Sequence, residues 1–307
     1  MLARFATRID TWNGARLAKR FKSGWPATTR ADVHFHRTPL AQYRYRLREP
    51  EKTSGKVHTI VFMADAPVTL ERYDALLDLL AIRYRVIVFE AAGMGFSAPD
   101  PSHTFAFQRT NDDVASFVES VGGEGSILAF PCVAGLGAVD IAVRHPRLVS
   151  GLFLLQTADW DTMLKWKKRN DTSGMLARPV LGQIAMKYTG AKSAPGWFKH
   201  ALGRRDHMAP FCNCAKEAFE HGAQFALAST FQRYIDGPSP LGTPKQPVAV
   251  VWGECDASHE RAGPHIAHAL APQATFHALK HVGHFPDLQD PQTIADLLDE
   301  YIEQNLT

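Results

Sequence analysis

The chain has 307 residues, of which 45% are hydrophobic and 21% charged, a length and composition that fit one large globular α/β domain with an insertion. Its formal net charge of +3 favours neither nucleic acid nor an anionic membrane as a partner of the whole molecule. No apolar run approaches the roughly 18 residues that span a bilayer, and the N-terminus lacks the continuous apolar stretch of a secretory signal, so we expect a cytoplasmic protein without a transmembrane segment.

The first predicted element is a basic amphipathic helix within an N-terminal extension, residues 1–31. Seven basic residues and a single acid, Asp10, lie between Met1 and Arg30. Apolar residues recur at helical spacing at Leu2, Phe5, Ile9 and Trp12. The pattern predicts either a helix packed on the body with a solvated basic face, or a segment that meets a membrane surface, a targeting receptor or an acidic partner.

Residues 32–157 are predicted to form the first part of an α/β core. Short apolar runs indicate strands at 33–36, 43–47, 57–63, 85–90, 126–130 and 148–156. Helical spacing of apolar residues indicates helices at 70–82, 111–121 and 133–144. This alternation is typical of a parallel sheet with right-handed crossovers.

The strand pattern then stops for nearly ninety positions. Residues 158–244 contain glycines and prolines that predict short helices, which we interpret as an inserted helical cap. The core resumes over 245–307, with strands predicted at 247–252 and 274–279 and helices at 261–270 and 293–305.

Four motifs stand where predicted strands end. They are Glu90-Ala91-Ala92-Gly93-Met94-Gly95-Phe96-Ser97, Phe130-Pro131-Cys132-Val133-Ala134-Gly135, Val251-Trp252-Gly253-Glu254-Cys255-Asp256 and Val282-Gly283-His284-Phe285-Pro286. In this order they resemble the α/β-hydrolase family, whose nucleophile occupies a tight strand-to-helix turn of the form G-x-S-x-G. The resemblance implies an α/β-hydrolase fold: a mostly parallel central sheet with helices on both faces and an inserted helical cap.

The resemblance also implies the roles of individual residues. Cys132 occupies the position of the nucleophilic serine, Asp256 that of the acid and His284 that of the base. The backbone amides of Val133 and Asp65 occupy the positions of the two oxyanion-hole donors. A thiol beside a neutral imidazole can pass it a proton and become a thiolate nucleophile, while the carboxylate orients the imidazole and stabilises its charged form.

Several positions depart from the family pattern. Phe130 and Ala134 replace the two glycines of the turn, and Met63-Ala64 replaces the His-Gly pair expected before the oxyanion residue. An Asp65 carboxylate that faced inward would oppose the charge developing on the oxyanion. These departures put ordinary ester hydrolysis in question more than they question the fold.

The predicted substrate pocket is apolar and includes Met63, Phe130, Trp160 and Phe285. We expect no metal, because the four cysteines are too few and too irregularly spaced for a four-thiolate zinc site. We also expect no cofactor, because a Cys-His-Asp triad requires none. The expected partners are a small apolar acyl substrate and an acidic acyl carrier protein that would dock on the basic N-terminal segment.

The sequence thus favours an acyl-transferring hydrolase of the thioesterase, acyltransferase, esterase or lactonase type, with a Cys-His-Asp triad and a covalent acyl-enzyme. Two alternatives stay open. One is a non-catalytic protein of the same fold that binds a small ligand or a partner, with Cys132 as a structural thiol. The other is base catalysis by His284 and Asp256 alone, of the lyase or cofactor-free oxygenase type.

Overall fold

A computed structural model describes residues 2–21, 30–51 and 55–306 of the chain. The strands are β1 (Val33–Arg37), β2 (Ala41–Arg48), β3 (Thr59–Ala64), β4 (Arg85–Glu90), β5 (Met94–Gly95), β6 (Ala98–Pro99), β7 (Ser126–Ala129), β8 (Val149–Leu155), β9 (Gln224–Phe225), β10 (Val248–Gly253) and β11 (Thr275–Leu279). The helices are α1 (Leu2–Phe21), α2 (Asp74–Leu80), α3 (Phe107–Val121), α4 (Cys132–Arg144), α5 (Trp160–Asn170), α6 (Leu181–Ala201), α7 (Met208–Glu220), α8 (Leu227–Arg233), α9 (Pro264–Leu270), α10 (Pro286–Gln289) and α11 (Pro291–Asn305).

The central sheet has the strand order β1-β2-β4-β3-β7-β8-β10-β11. Every neighbouring pair from β4 to β11 is parallel, whereas β1 and β2 add an antiparallel edge. The carboxyl ends of the parallel strands therefore meet at one edge of the sheet, where the loops that follow β3, β7, β8 and β10 come together.

Both faces of the sheet are buried, which explains why the central strands are apolar without alternation. On strand β3, Val61 belongs to the apolar cluster under α3 and α4, and its neighbour Phe62 belongs to the opposite cluster under α2 and α11. Helices thus cover both faces of the mostly parallel sheet, and this prediction from the sequence is confirmed.

The element ends differ from the predictions by a few residues. The predicted helix 70–82 is a 3₁₀ turn at Leu70–Tyr73 followed by α2, and the helix predicted at 111–121 begins earlier, at Phe107. In the segment predicted as the cap, α6 runs through Gly182 and Gly190, which were expected to interrupt helices. A Cβ atom on Gly182 would lie 2.5 Å from the carbonyl oxygen of Leu176, so this glycine permits close packing inside a helix.

Helices α5 to α8 and the short strand β9 all lie between β8 and β10. Strand β9 pairs with β5, which ties this helical segment to the loop that follows β4. We call residues 158–244 the cap. The limits of the extension, the two core parts and the cap stay predictions.

Helix α1 lies against β6, β9 and two cap helices, α6 and α8. Residues 1 and 22–29 of the predicted N-terminal extension lie outside the described residues. Within the described ranges, no helix combines the length and the apolar character that crossing a membrane requires.

Candidate active site

The turn between β7 and α4 presents Cys132 at the carboxyl edge of the sheet. Pro131 is extended, with φ −92° and ψ 158°, and Cys132 then adopts a left-handed φ of 48° as α4 begins. This conformation is costly for a residue with a Cβ atom and persists only where its surroundings enforce it. One contact that supports it is the hydrogen bond of 3.0 Å that Thr157 Oγ1 donates to the carbonyl oxygen of Cys132. The strained strand-to-helix turn is the geometry that presents a nucleophile in this class of fold.

The loop after β10 places Asp256 beneath a group of hydrogen-bond donors. Its Oδ2 accepts from His284 Nδ1 at 2.7 Å, from His259 Nδ1 at 2.8 Å and from Gln156 Nε2 at 3.0 Å. Its Oδ1 accepts from the backbone amide of Ser258 at 2.8 Å. Burial alone would raise the pKa of Asp256, but the attraction of His284 and these donors outweigh burial and hold that pKa far below its usual range.

The loop after β11 carries His284 to the same place. Its backbone amide donates to the carbonyl oxygen of Ala201 at the end of α6, at 2.8 Å. The preceding Gly283 allows this approach, because a Cβ atom there would lie 2.1 Å from the same oxygen. The end of the long cap helix therefore fixes the height of the histidine above the sheet.

The second ring nitrogen of His284 contacts another carboxylate. Its Nε2 lies 2.9 Å from Asp65 Oδ2, opposite the contact between Nδ1 and Asp256. A ring that donates from both nitrogens is an imidazolium. Burial opposes that charge, yet Asp256, Cys132 and Asp65 together raise the pKa of His284 well above its ordinary value.

The thiol of Cys132 completes a cluster with these two side chains. A carboxylate oxygen of Asp65, the Sγ of Cys132 and a ring nitrogen of His284 all lie within 4.8 Å of one another. Burial raises the pKa of Cys132 to about 11, with His284 and the Val133 amide pulling it down and Asp65 pushing it up. Cys132 is therefore a protonated thiol near neutral pH when His284 is held by Asp65.

The two residues predicted to supply the oxyanion donors both border the cavity. Val133 is the second residue of α4 and, like Asp65, lines the cavity above Cys132. The Asp65 carboxylate faces inward and contacts His284. Donation by either backbone amide to an oxyanion stays a prediction.

Two buried residues that the sequence did not single out hold the acid. Gln156, at the end of β8, has a left-handed φ of 51° and clamps the acid loop, accepting from the amide of Gly253 at 2.8 Å while its Nε2 donates to Asp256. His259 stacks between Trp166 and His284, with ring centroids 5.3 and 5.0 Å away. Burial lowers the pKa of His259, so its neutral ring donates to Asp256 through Nδ1.

A cavity of about 420 Å³ lies between the edge of the sheet and the cap. Cys132, Asp65, His284 and Met63 line its floor. Its walls are mostly apolar and include Trp166, Met175, Leu176, Met186, Trp197, Phe225, Leu227 and Phe231. Of the four predicted pocket residues, only Met63 is among the lining residues.

The other three predicted pocket residues belong to the protein's own core. Phe130 lies below the turn and packs edge-on against Phe89, with centroids 5.6 Å apart. Trp160 packs on Phe107 and donates from Nε1 to the carbonyl oxygen of Gly237 at 3.0 Å. Phe285 is buried among the cap aromatics that include Phe198 and Phe211. The prediction that these three side chains line the pocket is wrong.

Two groups of side chains in the described residues also have the spacing to hold a metal ion. The first group is Asp65, Cys132 and His284, and the second is Asp256, His259 and His284. The expected absence of a metal and of a cofactor stays a prediction.

The alpha/beta hydrolase family matches residues 60–297, and the chain belongs to that family. A search of curated protein sequences found no match. The fold of the protein is the α/β-hydrolase fold. Family membership supports a hydrolase in general terms.

Solved structures share this fold at low sequence identity. A protein assigned as an epoxide hydrolase from Pseudomonas aeruginosa is 15% identical with a TM-score of 0.71, covering 89% of this chain and 95% of that one. A second, from Klebsiella pneumoniae, is 15% identical with a TM-score of 0.72, covering 88% and 97%. Est816, described as an N-acyl homoserine lactone degrading enzyme, is 17% identical with a TM-score of 0.63, covering 87% and 99%.

Proposed function

We propose that this protein is an acyl-transferring hydrolase in which Cys132 forms a covalent thioester with the acyl group of its substrate. The observation that carries the proposal is the position of the thiol. Cys132 sits in a left-handed turn at the floor of an apolar cavity, with a ring nitrogen of His284 within 4.8 Å of its sulfur. The substrate class is an ester, lactone or thioester with an apolar acyl part.

The proposed reaction has two halves. The Cys132 thiol gives its proton to His284 and its sulfur attacks the acyl carbonyl, forming an oxyanion. The bond to the leaving oxygen or sulfur then breaks as His284 gives that atom the proton. An acceptor, which is water for hydrolysis, then gives a proton to His284 and attacks the thioester. The carbon–sulfur bond breaks, the acyl product leaves, and His284 returns the proton to the Cys132 sulfur. The buried Asp256 keeps the imidazole oriented and stabilises its charge in both halves.

Attack requires a change at Asp65. The thiol proton can pass to His284 only after Nε2 has lost its own proton or its contact with the Asp65 carboxylate. Transfer of the Nε2 proton to Asp65 would leave His284 neutral and able to act as a base. It would also neutralise the Asp65 carboxyl, which could then donate a hydrogen bond to the oxyanion. Asp65 is thus proposed as part of the proton path.

The chemistry of sulfur favours acyl substrates over epoxides. An epoxide opened by Cys132 would leave a thioether, which has no acyl carbon for water to attack, and turnover would end. A thioester exchanges readily with other thioesters and reacts well with amines, which favours thioesterase or acyltransferase activity. The acidic acyl carrier protein expected from the sequence stays a prediction.

The test is to trap the acyl-enzyme. The wild-type protein is mixed with a panel of acyl thioesters, esters and lactones of increasing chain length, quenched with acid, and mapped by peptide mass spectrometry. We expect an acyl mass on the peptide that contains Cys132 and hydrolysis of the same substrate. Cys132→Ala should lose the adduct and at least about a thousandfold of turnover, as expected when a covalent nucleophile is removed.

The contact between Asp65 and His284 also supports a second candidate, base catalysis without a covalent intermediate. A histidine held between two carboxylates is a proton carrier independent of the thiol. Under that candidate, Cys132→Ala would keep most of its activity while His284→Ala would lose it. If no member of the panel is turned over and no cysteine is acylated, the acyl-transfer proposal fails and the non-catalytic alternative is favoured.

A further inference from the structure

Helix α1 buries its small and polar side and exposes its large apolar residues. The buried residues are Ala6, Thr7, Asp10, Thr11, Gly14 and Leu17. Phe5 and Trp12 are each 58% exposed. An amphipathic helix that only packed on the body would show the reverse arrangement.

The exposed side of α1 is also strongly basic. Arg4, Arg8, Arg16 and Lys19 are exposed, and the only acid of the helix, Asp10, is buried on the opposite side. The guanidinium of Arg16 lies 5.0 Å from the centroid of the Trp12 ring. Basic and aromatic side chains thus alternate along one surface, without a carboxylate of α1 to neutralise it.

This surface continues onto the cap. Lys187 Nζ lies 5.7 Å from the Trp12 ring centroid and 6.0 Å from that of Tyr188, so α1 and α6 meet at these side chains. Tyr188 is 72% exposed, and Leu181 and Ile184 on the same side of α6 are exposed as well. We define the α1–α6 face by Phe5, Arg8, Trp12, Arg16, Leu181, Ile184, Lys187 and Tyr188.

The α1–α6 face lies on the outer side of the helix that roofs the cavity. Ala185, Met186 and Thr189, on other sides of α6, line the cavity above Cys132. Met175, in the loop that leads into α6, lines the cavity and is also exposed to solvent. An apolar molecule at the α1–α6 face would therefore be one helix away from the cavity.

We propose that the α1–α6 face binds the surface of an anionic lipid bilayer. Its cations would pair with negatively charged headgroups, and its aromatic and aliphatic side chains would enter the boundary between headgroups and acyl chains. A protruding row of aromatic residues among arginines and lysines has the composition of interfacial helices. The chemistry favours lipid over an acidic protein, because pairing of charges alone leaves Phe5, Trp12 and Tyr188 without a role. The proposal does not depend on the acyl-transfer function.

Sedimentation with vesicles tests the proposal. The full-length protein is mixed with vesicles of pure phosphatidylcholine, or of equal parts phosphatidylcholine and phosphatidylglycerol, and the bound fraction is measured. We expect binding to the anionic vesicles only, weakened by salt. Arg8→Glu/Arg16→Glu and Phe5→Ser/Trp12→Ser should each reduce the affinity by about tenfold or more.

The matched control is Val57→Ser/Ile82→Ser, which removes two exposed apolar side chains outside the α1–α6 face and should leave vesicle binding unchanged. Circular dichroism and thermal unfolding identify any variant that fails to fold. If a variant fails to fold, tryptophan fluorescence provides a second measurement. Vesicle addition should shift the emission of the wild-type protein to shorter wavelength, and this shift should be smaller in Trp12→Phe. Failure of the wild-type protein to bind anionic vesicles overturns the proposal. An equal loss of vesicle affinity in the control variant also overturns it. The same holds if an acidic acyl carrier protein binds through Arg8 and Arg16 and vesicles do not bind.

Discussion

The Nε2 atom of His284 lies 2.9 Å from a carboxylate oxygen of Asp65, on the side of the ring opposite Asp256. This contact occupies the ring nitrogen that would have to accept the thiol proton of Cys132. The Asp65 carboxylate raises both the pKa of His284 and the pKa of Cys132, so it favours a protonated thiol and a charged imidazole. Asp65 thus adds to burial, the largest cause that raises the pKa of Cys132, and to Asp256, the largest cause that raises the pKa of His284.

Removing the Asp65 charge should make Cys132 more reactive. In the wild-type protein, the rate of labelling by iodoacetamide should rise about tenfold for each pH unit between neutral pH and the pKa of about 11, because only the thiolate reacts. Asp256, the largest cause that raises the pKa of His284, stays in place in Asp65→Asn, so we expect the imidazole to keep its charge. The variant should then lower the pKa of Cys132 and raise the labelling rate at neutral pH by about tenfold for each unit of the change. The rate is read from the peptide containing Cys132 by mass spectrometry.

Cys212 provides the control within the same molecule. It is partly exposed and lies on α7, outside the cluster of Asp65, Cys132 and His284. Its labelling rate should be the same in the wild-type protein and in Asp65→Asn. Unchanged or slower labelling of Cys132 in the variant would contradict the role assigned to the Asp65 carboxylate.

His259 should act as a positioning residue for the acid. Its Nδ1 donates to Asp256, and its ring stacks on His284. His259→Phe keeps an aromatic ring but removes the hydrogen-bond donor to Asp256. We expect the activation free energy to rise by about 1–1.5 kcal/mol, which corresponds to a five- to fifteenfold fall in kcat. The measurement is the dependence of kcat on pH with the substrate found in the trapping experiment.

A variant with the opposite property separates orientation from packing. His259→Asn can keep a donor toward Asp256 while it loses the ring, so it should recover much of the wild-type kcat. If Phe and Asn at this position lower kcat equally without moving its pH dependence, His259 only fills space.

The sequence predicted the fold and the proximity of Cys132, Asp256 and His284, because both depend on the order of the strands. The catalytic roles of these residues stay predictions. A strand, a turn and a helix around Cys132 place that residue at the edge of the sheet, and the loops after β10 and β11 reach the same edge. The parallel topology brings Asp256 and His284 together whatever the exact ends of the elements are.

The pocket was less predictable, because an apolar pattern does not distinguish a cavity wall from the core. Phe130 lies two residues before Cys132 and turns into the core beneath the sheet edge, and Trp160 faces Phe107 from the first turn of α5. His259 was missed because it is one of 14 histidines and lies in a loop rather than in a recurring pattern. Its position three residues after Asp256 was the one signal available.

Gly283 should be intolerant of a side chain. A Cβ atom there would lie 2.1 Å from the carbonyl oxygen of Ala201, and this neighbour is backbone that cannot rotate away. Gly283→Ala should therefore destabilise the protein by about 2 kcal/mol or more and move His284 away from Cys132. Urea unfolding and kcat measure the two effects.

Gly123→Ala is a useful comparison, because Gly123 has a left-handed φ of 84° and a Cβ atom added there would meet nothing within 4 Å. Because a residue with a Cβ atom is strained at this φ, Gly123→Ala should lower the free energy of unfolding by about 1 kcal/mol and leave kcat unchanged. Equal effects of the two variants on kcat would show that the contact between the histidine loop and α6 does not position His284.

The buried carboxyl of Asp10 should make the attachment of α1 depend on pH. Asp10 Oδ2 accepts a hydrogen bond of 2.5 Å from Ser229 Oγ on α8, and burial raises the pKa of Asp10 from 3.8 to about 6 despite that bond. The folded protein therefore binds a proton that the unfolded chain releases between these two values. Stability from this group is fully present below about pH 4 and is lost as the pH rises through 6.

Asp10→Asn removes the charge and keeps an acceptor for Ser229. We expect its free energy of unfolding at pH 7 to exceed that of the wild-type protein by about 1–3 kcal/mol, with the difference vanishing below about pH 4. The measurement is urea unfolding across this range. The exposed Asp78→Asn serves as a control and should change stability by no more than about 0.5 kcal/mol. A variant that is less stable than the wild-type protein at pH 7 would mean that the ionised carboxylate, rather than its neutral form, holds α1 against the cap.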